Sequence, residues 1–393
     1  MVGGKTNVLV FSASVSPIAH DRREIGMRHA VEHWQRWRED PWLRQLGYCA
    51  AAAVLIALPF VVDAALGRAW VRIIDVALLF ILLGLGLNIV VGFAGLLDLG
   101  YIAFFAVGAY SYALLASPQF DIHWSFLALL PTGAFVAALF GVLLGAPTLR
   151  LRGDYLAIVT LGFGEMIRIS LNNLNRPYNI TNGPQGITLI DPLAIGEFAL
   201  NRTYTIAGFT LAPVHSYYFA FLACAAASIF ISLRLEDSRI GRAWIAIRED
   251  ELAAGAMGIN TRNLKLLAFA MGATFGGLAG GLFASFQGFV SPESFTLLDS
   301  IMVLCMVVLG GMGNVGGVVL GAALLTALPE ALRYAGPLQQ EWLGEVYVDP
   351  SDLRMLLFGL ALVLMMLLRP AGLWPSTLRR RELAGGEEPR AGR

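Results

Sequence analysis

The chain has 393 residues, of which 57% are hydrophobic and only 14% are charged, and its formal net charge is zero. A water-soluble protein of this length would carry far more surface charge, so the composition indicates a membrane protein. A net charge of zero gives no support to nucleic-acid binding, and none is expected. The three cysteines lie in apolar stretches and lack metal-binding or disulfide spacing: Cys49, Cys224 and Cys305.

Residues 1–45 form a polar, basic extension before the first long apolar stretch. No early apolar run followed by a small-residue cleavage site marks a signal peptide. Between residues 22 and 44 the chain mixes Arg, His, Glu and Trp, a composition typical of an amphipathic helix on a membrane surface. A plain tail is the alternative.

Long, nearly uncharged stretches within residues 46–375 predict about ten transmembrane helices, and therefore an all-α, multi-pass membrane protein. Two pairs of stretches are joined by very short segments, at 92–95 and 310–314, so either junction could be a broken or re-entrant helix. The predicted spans are 46–66, 73–92, 96–117, 126–146, 155–171, 216–234, 266–288, 298–312, 314–332 and 353–369.

The basic residues predict the orientation of these spans. Most of the 28 lysines and arginines fall in residues 1–45, in 147–154, in 234–265 and after 369, which alternation of the spans places on one side. The positive-inside rule makes this side cytoplasmic, so both termini, including the basic tail 376–393, are predicted to lie inside. Residues 172–215 then form the longest external segment, which could be a lid, a docking surface or a plain connection.

Residues 236–265 form a polar break between two apolar runs and carry much of the charge of the chain. Helical spacing of apolar residues predicts a short amphipathic helix at about 240–248. The acidic run 249–251 suits the start of a second helix, and Gly258 suits its end. Such a compact helical segment suits docking into a groove on a soluble partner. A solvated loop is the alternative.

Glycine is frequent inside the predicted spans, and helix packing is the favoured interpretation over a direct substrate role. An ionisable residue at mid-membrane costs about 2.5–3.5 kcal/mol on insertion scales, so each is a functional candidate. Two of them, Glu165 and Arg168, lie three apart on one helix and could simply neutralise each other. The sequence contains no catalytic motif and no phosphate-binding loop, so the energy for any pumping would come from another subunit. The ionisable residues at membrane depth are Asp75, Asp98, Glu165, Arg168, Asp299 and Glu330.

Several blocks occur in a specific order along residues 70–375. They include LRLRGDYLAIVTLGFGEMIRISLNN (149–173), NGPQGI (182–187), IGRAWIAIREDELAAGAMGIN (240–260), VVLGGMGNVGGVVLGAALL (307–325) and RPAGLW (369–374). Together these blocks resemble the M-type permease subunits of branched-chain amino-acid ABC importers, the LivM-type family. The resemblance does not extend to the N-terminal extension.

The resemblance implies a permease with a type II-like importer fold in the bacterial cytoplasmic (inner) membrane, surrounded by lipid. It implies an H-type permease subunit as heterodimer partner, two ABC ATPase subunits and an extracytoplasmic substrate-binding protein. The permease would bind no cofactor directly, since ATP is used by the ATPase subunits. The expected function is import of branched-chain amino acids or similar small polar solutes by alternating access, with no enzymatic activity.

The resemblance also assigns site residues. Glu251-Leu-Ala253-Ala254 with Gly258 looks like a looser version of the EAA-type motif, whose helix inserts into a groove on the ATPase. No catalytic or metal site is expected, and the candidate translocation path is Asp98, Glu165 and Asn172. The candidate ATPase-coupling residues are Arg242, Trp244, Arg248, Glu249, Asp250, Glu251, Ala253 and Gly258.

Three other functions are compatible with a polytopic chain. A secondary transporter would contain its own coupling-ion site at mid-membrane. An ABC permease for urea or short amides would share the same architecture. A non-transporting membrane scaffold would be dispensable for uptake.

Overall fold

A computed structural model describes residues 41–120, 122–149, 151, 153–195, 198–206, 209–333, 356, 359–360, 363, 367 and 372–374. The predictions for residues 1–40 and for the tail 376–393 lie outside these residues, and the predicted span 353–369 lies largely outside them. The chain divides into two units, Met1–Val61 and Val62–Arg393. The domain boundaries predicted from the sequence stay predictions.

The described residues are mostly α-helical. The helices are α1 (Pro41–Leu66), α2 (Arg68–Leu87), a π-helix that continues α2 (Asn88–Phe93), α3 (Ile102–Leu115), α4 (Phe126–Thr148), α5 (Asp154–Asn173), α6 (Pro213–Glu236), α7 (Arg239–Glu249), α8 (Glu251–Ala256), α9 (Thr261–Gln287), α10 (Leu297–Gly310) and α11 (Val315–Arg333). Two short 3₁₀ turns lie at Gly183–Gln185 and Pro292–Ser294.

Six helical segments among the described residues are long and apolar enough to cross a membrane. Helices α3 and α11 are apolar but shorter, and α5, which coincides with the predicted span 155–171, is not among the six. The predicted total of about ten spans therefore stays a prediction. The six segments are Gln45–Leu66, Arg68–Phe93, Phe126–Thr148, Pro213–Glu236, Thr261–Gln287 and Pro292–Gly310.

Short antiparallel strand pairs connect some of the helices. They are β1 (Ala116–Ser117) with β2 (Ile122–His123), β3 (Ile187–Thr188) with β8 (Phe289–Val290), β4 (Ala194–Ile195) with β5 (Phe198–Ala199), and β6 (Tyr204–Ile206) with β7 (Phe209–Leu211). In the β3–β8 pair, Ile187 lies opposite Val290. This pair joins the predicted external segment 172–215 to the end of α9.

Helix α9 packs against α2, α3 and α4 in the second unit. Close approach of backbones makes this possible, because a Cβ atom at Gly108 of α3 would collide with the backbone of Gly277 of α9. A Cβ atom at Gly277 would in turn lie 2.5 Å from the side chain of Ala137 on α4. Small residues at helix crossings replace the hydrophobic force that is missing between helices in lipid. The packing role predicted for glycine is confirmed at this crossing.

A helix break separates α2 from α3. The backbone N–H of Leu96 donates to the Val90 carbonyl over 3.0 Å, and Gly95 has a φ of 69°, a left-handed conformation that ends the helix. The Asp98 carboxylate then accepts a hydrogen bond from the Gly100 N–H at 2.9 Å. These local bonds compete with helix formation, so α3 begins only at Ile102. The helix of the predicted span 96–117 therefore begins at residue 102 and not at 96. The choice between a broken helix and two spans joined by a short segment stays a prediction.

A second break separates α10, which ends at Gly310, from α11, which begins at Val315. The second break lies against the π-helix that precedes the first break, because the Gly313 N–H donates to the side-chain oxygen of Asn88 over 2.8 Å. Asn88 is buried and begins the π-helix. Single-turn π-helices inside longer helices are frequent at functional sites.

Candidate coupling site and translocation path

Helices α7 and α8 form a compact helical pair, which we call the knob (residues 239–258). The Ser238 hydroxyl caps α7 by accepting from the Gly241 N–H at 3.1 Å. The Asp250 carboxylate caps α8 by accepting from the N–H groups of Leu252 and Ala253 at 2.8 and 3.0 Å. Gly258, with a φ of 85°, ends α8. Both helices predicted from the sequence are therefore confirmed, as are the start of the second at Asp250 and Glu251 and its glycine end. The placement of Glu249 in the second helix is wrong, because it is the last residue of α7.

Two anchors fix the knob to the start of α9. The indole of Trp244 is fully buried, and its N–H donates to the Leu264 carbonyl over 2.7 Å. The Glu251 carboxylate forms an ion pair with the buried ammonium of Lys265 at 2.6 Å. Both Trp244 and Glu251 are thus engaged inside the chain. Among the predicted coupling residues, these two hold the knob in place.

Sequence reasoning did not include Lys265 in the site. Lys265 lies at the start of an apolar run, and a cation in such a position needs a partner. This position could have placed Lys265 in the site. Removing one partner of a buried pair leaves an uncompensated charge, which is strongly destabilising. Changes at Glu251 therefore act on the knob itself as well as on any docked protein.

Arg248, near the end of α7, connects the knob to both helix breaks. Its guanidinium Nη1 donates to the Gly92 carbonyl over 2.5 Å, at the C-terminal end of the π-helix. Its aliphatic part lies over Gly95, where an added Cβ atom would lie 2.6 Å from the Arg248 Cγ. A Cβ atom at Gly313 would lie 3.3 Å from the same Nη1. The carbonyls at a helix end have no partner within the helix, which makes them good acceptors for a cation.

Open space lies beside this contact. A cavity of about 430 Å³ is lined by residues of the first break, of the start of α5 and of the knob, including Gly95, Asp154, Arg248 and Leu252. A cavity of about 320 Å³ borders Glu251 on another side. The knob therefore contacts the first break through Arg248 and is not packed tightly against it along its whole length.

The knob exposes two large apolar side chains, Leu252 in α8 and Met257 directly after it. Leu252 and Met257 are 71% and 84% exposed, and the small residues between them include the exposed Ala253. Exposed large apolar side chains on a polar segment are typical of interaction sites. Sequence reasoning did not single out Leu252 or Met257. The predicted coupling residues that are exposed are Arg242, Glu249, Asp250, Ala253 and Gly258.

The three predicted path residues have different surroundings near α5. Asp98 is buried in the first break, and the neighbouring Leu99 N–H donates to Thr160 of α5 over 3.0 Å. Glu165 lies midway along α5 with its side chain 40% exposed. Asn172 lies near the end of α5, and its buried side-chain oxygen has no hydrogen-bond partner among the described residues.

Glu165 takes part in a charged cluster. Both carboxylate oxygens of Glu165 accept from Arg168 Nε, at 3.0 and 3.1 Å, and one also accepts from Nη2 at 2.5 Å. The remaining nitrogen, Nη1, lies 3.5 Å from the Glu293 carboxylate. The expectation that Glu165 and Arg168 neutralise each other is confirmed, although both side chains stay partly exposed.

These features define a polytopic helical membrane protein with a polar helical knob and a charged helix face. Residues 69–366 match the family described as the permease component of a branched-chain amino acid transport system, and the chain belongs to this family. The resemblance stated from the sequence is confirmed. The chain is therefore a multi-pass membrane permease.

The curated relatives agree with this assignment. The chain is 42% identical over 355 residues to the high-affinity branched-chain amino acid transport system permease protein LivM of Escherichia coli, a match that covers 87% of this chain and 78% of the relative. The LivM protein of Salmonella typhimurium is 41% identical over 356 residues, with coverage of 88% and 78%. LivH of Escherichia coli is 27% identical over 300 residues, with coverage of 75% and 90%. Similarity to both LivM and LivH indicates a permease pair. No solved structure matches the chain.

Proposed function

We propose that the chain is the M-type permease subunit of an ABC importer for branched-chain amino acids or similar small polar solutes in the bacterial cytoplasmic membrane. The proposed complex contains an H-type permease, two ATPase subunits and an extracytoplasmic binding protein. The permease has a type II-like fold with about ten spans and both termini inside. One observation carries this proposal: the knob exposes large apolar side chains and is hydrogen-bonded through Arg248 to Gly92, directly before the first helix break.

The exposed apolar side chains of the knob are suited to a groove on an ATPase subunit, where a short helix can bury Leu252 and Met257. Closure of the ATPase dimer on ATP binding then displaces the knob. Trp244 and Lys265 transmit this displacement to α9, and Arg248 transmits it to the breaks next to α2 and α10. Rigid helices that move against each other provide alternating access without covalent chemistry.

The proposed path runs along α5, between this subunit and the partner permease. Glu165 and Arg168 are partly exposed in the second half of α5, and charged groups within a membrane are costly when they face lipid. A neighbouring protein or a water-filled path covers such a surface at lower cost.

Uptake by the reconstituted complex tests this function and separates it from its rivals. We expect L-leucine uptake into vesicles to require ATP and the binding protein, and to stop when ATP is depleted while sodium and proton gradients are kept. Uptake that persists on an ion gradient without ATP would instead establish a secondary transporter. ATP-dependent uptake of urea or acetamide, without leucine uptake, would establish the amide importer.

A further inference from the structure

The charged cluster on α5 borders a small apolar pocket. This pocket, of about 100 Å³, is lined by one carboxylate, Glu165, and otherwise by apolar side chains and glycine. The buried ring of Phe295 forms a rigid wall, because it packs edge-on against Phe105 with 5.3 Å between the ring centroids. The full lining is Leu99, Ile102, Leu161, Gly164, Glu165, Phe295 and Leu297.

The pocket has the size of a short branched aliphatic group. An apolar cavity of about 150 Å³ admits benzene, which has six carbons, so a cavity of 100 Å³ suits three or four carbons. When the fit is close, a pocket of this kind binds the larger of two aliphatic side chains more tightly, by about 10-fold or more, because it buries one more methylene group. Its walls can therefore rank aliphatic substrates by size.

The charged groups beside the pocket can bind both the positive and the negative group of a zwitterion. A carboxylate has about four lone-pair sites, so Glu165 can accept an ammonium group while it stays bonded to Arg168. Arg168 uses Nε and Nη2 for Glu165. Its Nη1 lies 3.5 Å from Glu293, beyond the 2.7–2.9 Å of a strong charge-assisted bond. A substrate carboxylate can take the place of Glu293 at this nitrogen while the planar guanidinium keeps its position on Glu165.

From this geometry we propose that Glu165, Arg168 and the adjoining pocket form a substrate subsite for a small aliphatic α-amino acid. The aliphatic side chain occupies the pocket, the α-ammonium binds Glu165, and the α-carboxylate binds Arg168 in place of the loose Glu293 contact. The inference rests on the proposed function and adds to it the residues of this chain that recognise the substrate during translocation.

Leucine and valine uptake by the reconstituted complex, at saturating binding protein, tests the pocket. The Leu161→Phe variant fills the pocket and should raise the valine-to-leucine rate ratio, while Leu161→Ala enlarges it and should lower the ratio, each by about threefold or more. The matched control is Leu139→Phe, because Leu139 is also a leucine, lies on α4 away from the proposed path, is exposed and does not line the pocket. Its ratio should equal that of the wild type.

The Glu165→Gln variant tests the ammonium contact, since the amide keeps the shape and loses the charge. We expect its leucine uptake to fall at least about tenfold, because a hydrogen bond between charged groups is lost. The control is Asp237→Asn, an exposed carboxylate at the end of α6 and outside the pocket lining, which should transport normally. Basal ATPase activity and the amount of complex in the membrane are measured for every variant.

Unchanged leucine uptake in Glu165→Gln, or valine-to-leucine ratios that stay at the wild-type value in both Leu161 variants, would overturn the subsite while leaving the proposed function intact. The Leu161 variants keep the test decisive even if Glu165→Gln fails to assemble. A wild-type complex with no ATP-dependent uptake of any branched-chain amino acid or similar small polar solute would contradict the proposed function itself, and the subsite with it.

Discussion

The Arg248→Ala variant should lose coupled transport at least about tenfold while the complex stays assembled. Alanine removes the hydrogen bond to the Gly92 carbonyl, and bonds to charged groups contribute about 1.5–3 kcal/mol. It also removes the aliphatic contact over Gly95. Movement of the knob would then reach the helix breaks only through α9. The measurement is leucine uptake per ATP hydrolysed in the reconstituted complex.

Two variants control this experiment. Arg239→Ala removes an exposed cation from the start of the same helix, and Arg239 is not among the predicted coupling residues, so coupling should be retained. Arg248→Lys keeps the charge but has a shorter side chain without the planar fork, so it should be intermediate. Full coupling in Arg248→Ala would show that the contact with Gly92 carries no signal.

The Gly108→Ala and Gly277→Ala variants should each greatly lower the amount of folded protein. An added methyl group at either position meets the backbone of the facing helix, which cannot move aside as a flexible side chain can. Overpacking of this kind costs about 1–3 kcal/mol or more. The measurements are the yield of monodisperse protein after detergent extraction and the midpoint of thermal unfolding.

Gly162→Ala is the matched control, because a Cβ atom at Gly162 would have no neighbour within 4 Å. Alanine also favours helix by about 1 kcal/mol relative to glycine in water, so this variant should be at least as stable as the wild type. Equal stability of all three variants would mean that α3 and α9 do not cross at Gly108 and Gly277.

Local signals account for what could be predicted of the knob. The bounds of α7 and α8 follow from an amphipathic spacing, an acidic cap at Asp250 and a terminal glycine at Gly258. Each of these acts within a few residues, so a single sequence contains the information. The family resemblance then supplied the expected partners, which local chemistry alone does not identify.

Long-range contacts account for what was missed. Arg248 and Gly92 are 156 positions apart, and Gly313 and Asn88 are 225 apart, so no spacing rule relates them. The extent of the first break was also missed, because the sequence marked a junction at 92–95 whereas the residues between the helices are 94–101. Its cause is a left-handed conformation at Gly95 and the hydrogen bond between Asp98 and the Gly100 N–H, and a hydropathy profile shows neither.

The pocket beside Glu165 illustrates the same limit. The sequence placed Glu165 and Arg168 on one face of a helix, which is a local property. Phe295 and Leu99, which complete the pocket, come from other segments, and only the packing of α5 brings them together. Burial and cavity shape are properties of the folded chain.

The most direct test of the coupling proposal is co-purification of the ATPase subunits with the affinity-tagged chain. The wild type should retain a pair of ATPase subunits, and the double variant Leu252→Asp/Met257→Asp should lose them, because two charges replace the exposed apolar side chains. The control pair Tyr178→Asp/Leu189→Asp changes equally exposed residues, 80% and 76% exposed, on the predicted external segment, and should retain the ATPases. Absence of ATPase subunits from the wild-type preparation, or their retention by the knob variant, would contradict the proposal.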